Sequence, residues 1–79
     1  MTLKDYFATN LEYLTSRPMN GQTKHFFKML HAESFRKDYE NGYFTEENLV
    51  DYADHYYGNF GGRFSFKKND VVEVIVYTD

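Results

Sequence analysis

Sixteen of the 79 residues are aromatic, eight Phe and eight Tyr, and this content is the strongest constraint on how the chain can fold. Disordered segments are poor in aromatic residues, so we expect an ordered structure. A buried ring removes roughly 150–250 Å² from water, but a domain of this length buries only about 60% of its unfolded surface. The core cannot enclose every ring. We therefore expect several Tyr at the surface, a residue that is enriched at binding interfaces.

The chain contains no Cys. This excludes a disulfide-based scaffold, a Cys-based zinc site and a thiol nucleophile, and it favours a cytoplasmic protein. No apolar run approaches the roughly 18 residues that cross a bilayer, and residues 1–10 lack a signal-peptide core. The length allows a single domain, which we assign to residues 1–79.

The first helix is predicted over residues 3–16. Thr2 and Asp5 resemble a capping box, in which each side chain accepts a backbone hydrogen bond from the other residue. Pro18 stops this helix, because the residue before a proline is displaced from helical geometry. The apolar positions follow helical spacing, and they are Leu3, Phe7, Leu11 and Leu14.

Two further helices are predicted, over residues 22–40 and 45–58. The first has a broad apolar side at helical spacing, formed by Phe26, Phe27, Leu30, His31, Ser34 and Phe35. The second begins at the N-cap candidate Thr45, and two Glu in its first turn suit the helix dipole. Its apolar stripe consists of Leu49, Tyr52, Ala53, Tyr56 and Phe60.

The last part of the chain changes from helical to strand periodicity. Phe64 and Phe66 alternate with polar residues, which predicts a strand over 63–67. A second strand over 71–77 is rich in β-branched residues, so the tail is a β-hairpin that must pack on the helices or on another chain. The predicted fold is therefore α+β, with three helices followed by a C-terminal antiparallel hairpin.

Charge is distributed unevenly along the sequence. Residues 1–37 carry a net charge of +3, residues 38–62 carry −6 without any Lys or Arg, and residues 63–79 are neutral. The small total of −3 therefore conceals a strongly acidic middle segment. Carboxylates interspersed with aromatic rings can attract a basic partner and then hold it by ring contacts.

We assign a partner-binding surface to this middle segment. The alternative is an ordinary solvated helix face whose acids keep the protein in solution. The residues assigned to the surface are Asp38, Glu40, Tyr43, Glu46, Glu47, Asp51 and Asp54.

No motif indicates catalysis or a cofactor. Asp51, Asp54 and His55 lie close together on the third predicted helix, but ligands from one helix rarely complete a metal's coordination sphere. Gly61-Gly62 follows a helix and precedes a strand, whereas a phosphate-binding loop runs from strand to helix. We therefore expect no enzyme, no metal and no cofactor.

The leading functional hypothesis is a small non-enzymatic interaction protein whose acidic, Tyr-rich middle docks on a basic surface. Proteins that bind or cut nucleic acid have such basic surfaces. The carboxylates of this protein would occupy the positions where the phosphates of the nucleic acid bind. In size, acidity and aromatic content the chain is similar to small counter-defence proteins of phages and plasmids, such as anti-CRISPR and anti-restriction inhibitors. That similarity implies an inhibitor that acts by occupying its partner's binding site.

Two alternatives remain open at this level. The chain could be a subunit that dimerises through the apolar segment Val71–Tyr77. It could also bind nucleic acid through basic residues of the second predicted helix, namely Lys24, Lys28, Arg36 and Lys37. The order of elements matches a winged-helix domain, but its third helix has no Lys or Arg to meet phosphates. Direct binding of nucleic acid is therefore disfavoured.

Overall fold

The computed structural model describes residues 1–53 and 61–77. These residues form three helices and four strands in the order α-β-β-α-α-β-β. The elements are α1 (Leu3–Asn10), β1 (Leu11–Met19), β2 (Gln22–Met29), α2 (Ala32–Glu40), α3 (Glu46–Ala53), β3 (Gly62–Lys67) and β4 (Val71–Tyr77).

The four strands form one antiparallel sheet in the order β1-β2-β4-β3. All three helices pack against one face of the sheet, where Phe7, Phe35 and Leu49 join Val72 and Val74 in a single buried cluster. The helix layer and the sheet therefore enclose the core between them. The opposite face of the sheet, called the open face below, carries the alternate residues of every strand.

The predicted first helix is right at its start and wrong after Asn10. The capping box of Thr2 and Asp5 is present, and the Asn10 side chain donates a 2.8 Å hydrogen bond to the carbonyl of Tyr6 at the end of α1. Residues 11–16 belong to β1 instead, with a bulge at Leu14. Pairing with β2 supplies these residues with hydrogen bonds that local sequence spacing does not reveal.

The predicted helix over residues 22–40 is also wrong in its first half. Residues 22–29 form β2, and only Ala32–Glu40 are helical. Asn20-Gly21 connects β1 to β2 in two residues, and Gly21 adopts a φ of +74° that glycine tolerates. In the strand, the neighbouring rings of Phe26 and Phe27 point to opposite faces of the sheet rather than to a shared helical side.

The later elements are confirmed within the described residues. Helix α3 begins after Thr45 as predicted, while residues 54–58 of that predicted helix lie outside the described part of the chain. Strands β3 and β4 form the predicted hairpin, and Asn69 and Asp70 adopt φ angles of +61° in its turn. The α+β class is thus confirmed, but strands also precede α2 and α3.

Strand β4 lies between β2 and β3, and its backbone pairs on both sides. This central position explains why the segment is apolar on both faces. A second copy could pair along β4 only by displacing one of its neighbours. Dimerisation through Val71–Tyr77 stays a prediction, and it would have to use side chains rather than strand pairing.

Candidate functional site

Helix α3 is oriented by a polar cap on one end and an apolar face along its length. The Thr45 hydroxyl accepts from the backbone N–H of Asn48 at 3.1 Å, and the Asn48 side chain accepts from the Thr45 N–H at 2.9 Å. Leu49 and Val50 are buried against the core. Because they fix the inner face, Glu47 on the outer face is exposed.

Three of the predicted partner-binding carboxylates line one surface depression. Glu46, Glu47 and Asp51 border it on α3, and Gly61-Gly62 borders it where β3 begins. A side chain at Gly62 would overlap the carbonyl oxygen of Ile75 and would lie 2.9 Å from the Val50 side chain. The glycine therefore lets α3 approach the sheet closely. We call Glu46, Glu47 and Asp51 the α3 acidic depression.

Glu46 also has a structural role. Its carboxylate accepts a 3.2 Å hydrogen bond from the backbone N–H of Phe64 in β3. Strand β3 is at the edge of the sheet, so no neighbouring strand is available to accept from this outward-facing N–H. The Glu46 carboxylate accepts from it instead. Glu46 is therefore less suited than Glu47 to test partner binding.

The side chains of Asp38 and Tyr43 both contact the side chain of Tyr6. The Tyr6 hydroxyl donates a 2.6 Å hydrogen bond to Asp38, and the rings of Tyr6 and Tyr43 contact each other edge to face with centroids 4.9 Å apart. Burial, together with the Asp38 carboxylate, raises the pKa of Tyr6 well above its ordinary range. Tyr43 is half exposed. We call Tyr6, Asp38 and Tyr43 the Tyr6 cluster.

The remaining two predicted residues belong to neither group. Glu40 is exposed at the end of α2, and Asp54 lies outside the described residues. The structure thus divides the predicted surface into the α3 acidic depression and the Tyr6 cluster, both on the helix layer. The sequence predicted the acidic segment but not this division, which depends on the contacts of Tyr6 in α1 with Asp38 and Tyr43.

Charge is separated between the two layers of the fold. The three helices carry seven acidic and three basic residues. The four strands carry five basic and two acidic residues, and the strand register puts all seven on the open face. The basic ones are Arg17, Lys24, Lys28, Arg63 and Lys67.

Sequence reasoning missed this basic face. The predicted helix grouped Lys24 and Lys28 with Arg36 and Lys37, but the first pair lies on β2 and the second on α2. The turn signal Asn20-Gly21 could have revealed two strands, because this dipeptide commonly joins the strands of a hairpin. Alternation along those strands would then have put Lys24, Phe26 and Lys28 on one side.

Within residues 1–53 and 61–77, no group of three or more His, Asp or Glu side chains is arranged to hold a metal ion. The same residues include no helix that is long and apolar enough to cross a membrane. Asp54 and His55, which the metal hypothesis required, lie outside this part of the chain.

Comparison of the chain with protein-family models, with curated proteins and with solved structures gives no match.

Proposed function

We propose that this protein is a non-enzymatic interaction module whose acidic helix layer docks on a basic surface of a partner protein. The partner is of the kind that binds or processes nucleic acid, and the module inhibits it by covering the phosphate-binding site. In size, acidity and aromatic content the chain is similar to counter-defence proteins of phages and plasmids, such as anti-CRISPR and anti-restriction inhibitors.

The separation of charge between the layers carries the proposal. An acidic helix layer opposed to a basic sheet face gives the molecule one preferred side for a basic partner. The ion pairs Lys37–Glu33 and Lys67–Glu73 involve carboxylates other than those of the proposed surface. Electrostatic complementarity of this kind raises association rates and specificity.

The Tyr6 cluster supplies the second element that an interface needs. Tyr43 exposes half of its surface beside Asp38, and aromatic side chains are common among residues that dominate binding energy. The ring is held by its contact with Tyr6. An already ordered ring loses less conformational entropy when the partner binds.

The test compares two double charge reversals of equal size. Glu47→Lys with Asp51→Lys alters the α3 acidic depression and spares Glu46, which binds the edge of β3. Glu12→Lys with Glu33→Lys is the control, since both residues are exposed and lie outside the proposed surface. Circular dichroism and thermal unfolding establish that both variants fold.

Partners are captured from a lysate of the source cells, identified by mass spectrometry and purified. We expect the α3 variant to bind about tenfold more weakly than the control and to show a smaller dependence on salt. The protein should also displace a labelled duplex oligonucleotide from the partner. Unchanged affinity and salt dependence in the folded α3 variant would reject the acidic surface, and a stable ternary complex would reject inhibition by occupancy.

A further inference from the structure

The open face of the sheet has an ordered layout that the strand register defines. Arg17, Lys24, Ile75 and Arg63 are successive partners across β1, β2, β4 and β3. Neighbouring strands are about 4.8 Å apart, so this row spans about 14 Å. It holds three cations and no carboxylate. We call Arg17, Lys24 and Arg63 the cationic row.

The cationic row works against the stability of the isolated protein. Arg17 and Lys24 are direct partners in the β1–β2 pairing, and like charges in this position are destabilising. A carboxylate at either position would form a favourable cross-strand pair instead. The three cations therefore lower the stability of the isolated protein but favour the binding of an anion.

An aromatic side chain flanks the cationic row on each side. Phe26 lies two residues from Lys24 on β2, and Tyr77 lies two residues from Ile75 on β4, so both rings share the open face. Phe26 is partly exposed, Tyr77 is 38% exposed, and the Arg17 guanidinium lies 5.9 Å from the centre of the Phe26 ring. Ile75, the one apolar residue of the row, is 6% exposed.

We propose that the open face binds single-stranded nucleic acid, with phosphates along the cationic row and bases stacked on Phe26 and Tyr77. Proteins that bind single strands combine a basic track with aromatic platforms in this way. An acidic peptide would use the cations but would leave the rings without bases to stack. The rings therefore favour a nucleic acid as the occupant.

The acidic helix layer does not prevent this binding. The shortest dimension of the molecule is 18 Å, whereas the Debye length at 0.1 M ionic strength is about 10 Å. Repulsion from carboxylates on the far layer is therefore strongly screened at the open face at this ionic strength, and at lower salt the cations of the row are still the charges nearest to a ligand there. This site uses different residues from the acidic surface, so the two proposals can fail independently.

The experiment measures the fluorescence anisotropy of labelled oligo-dT and oligo-U of about 12 nucleotides, a length within the usual site sizes of such proteins. A duplex of the same length is the comparison. We expect single strands to bind more tightly than duplex at low salt. Three phosphate contacts predict that the logarithm of the affinity falls with the logarithm of salt with a slope of about −2.

Two variants test the two parts of the face. Arg17→Gln with Arg63→Gln should reduce the magnitude of the salt slope by about 1.4, since about 0.7 is lost per contact. Phe26→Leu should weaken binding about tenfold with the slope unchanged, because it removes a stacking ring. Lys4→Gln with Lys37→Gln is the matched control, with the same loss of charge on the helix layer, and should bind as the unmodified protein does.

Three results would overturn the proposal. One is absence of binding at low salt, and another is an equal loss in the Lys4 and Lys37 control. The third is concentration-dependent self-association in light scattering that the Arg17 and Arg63 variant abolishes, which would assign the face to a second copy. Binding that persists after Glu47→Lys with Asp51→Lys separates this site from the acidic surface.

Discussion

The two hairpins of the sheet are built in opposite ways. In the β3–β4 hairpin, Val72, Val74 and Val76 have no exposed surface, and Ile75 is only 6% exposed on the other face. In the β1–β2 hairpin, Leu11, Phe27 and Met29 are buried in the core, but residues 12–21 are all exposed. One hairpin is therefore held by the core, and much of the other is held by its own backbone pairing and its turn.

Position in the sheet explains this difference. Strand β4 is central, its core face is fully buried and Ile75 on the open face is only 6% exposed, so selection for packing gives it a run of β-branched residues. Strand β1 is an edge strand, and its exposed part includes Arg17 and Pro18, two residue types that discourage pairing with another chain. The comparison indicates that the β3–β4 hairpin provides stability, whereas the exposed part of the β1–β2 hairpin presents a surface.

The largest expected effect is the loss of stability when a buried side chain of the β3–β4 hairpin is truncated. An exposed side chain of the β1–β2 hairpin is truncated for comparison. Val74→Ala should lower the free energy of unfolding by about 2 to 3 kcal/mol, because it removes two buried methyl groups and leaves a cavity. Leu14→Ala should change it by less than about 0.5 kcal/mol, since Leu14 is 45% exposed at the bulge of β1. Urea unfolding of both variants measures the difference. Equal losses would show that the exposed part of the β1–β2 hairpin contributes as much to stability as the core does.

An intermediate loss of stability is expected from removing the hydrogen bond that joins α1 to α2. Helix α1 also contacts β1, the first strand of the β1–β2 hairpin. Tyr6→Phe removes the hydroxyl that donates to Asp38. We expect a loss of about 1 to 2 kcal/mol at neutral pH, since the acceptor is a carboxylate. Denaturant unfolding measures it, and Tyr43→Phe is a suitable control because Tyr43 is half exposed.

The same residue predicts how stability depends on pH. The folded state raises the pKa of Tyr6 above the unfolded value of about 10. The protonated hydroxyl is therefore favoured by folding, and its contribution is complete below pH 10 and decreases as the pH rises above it. Unfolding at a series of alkaline pH values should show a steeper loss for the unmodified protein than for Tyr6→Phe. Identical slopes would mean that the ionisation of Tyr6 is not linked to folding.

Sequence analysis succeeded where the determining interactions are local. The capping residues Thr2 and Thr45 bind backbone groups three residues away, and the β3–β4 turn joins strands that are adjacent in sequence. Such features can be recognised from spacing alone. The acidic segment was recognised for the same reason, because most of its charges are neighbours along α2 and α3.

Sequence analysis failed where distant residues decide the structure. Leu3, Phe7, Leu11 and Leu14 fit helical spacing equally well whether the chain is helical or turns into a strand after Asn10. Pairing with β2 decides between the two, and a single apolar pattern contains no information about its partner. The cationic row was missed for the same reason, since Arg17 and Arg63 come into one row with Lys24 only through the register of four strands.

The smallest expected effect distinguishes the two edges of the sheet. On the β3 edge, Glu46 accepts from the N–H of Phe64. Glu46→Ala should lower the free energy of unfolding by about 0.5 to 1 kcal/mol more than Glu47→Ala. The two residues occupy the same first turn of α3, so helix propensity and the helix dipole largely cancel in this comparison. Hydrogen exchange of the Phe64 amide should accelerate only in the Glu46 variant, because a solvent-facing edge N–H without its acceptor opens more readily to water. Equal stabilities and an unchanged Phe64 exchange rate would show that the carboxylate does not protect this edge, and the β3 edge would then be as open as the β1 edge.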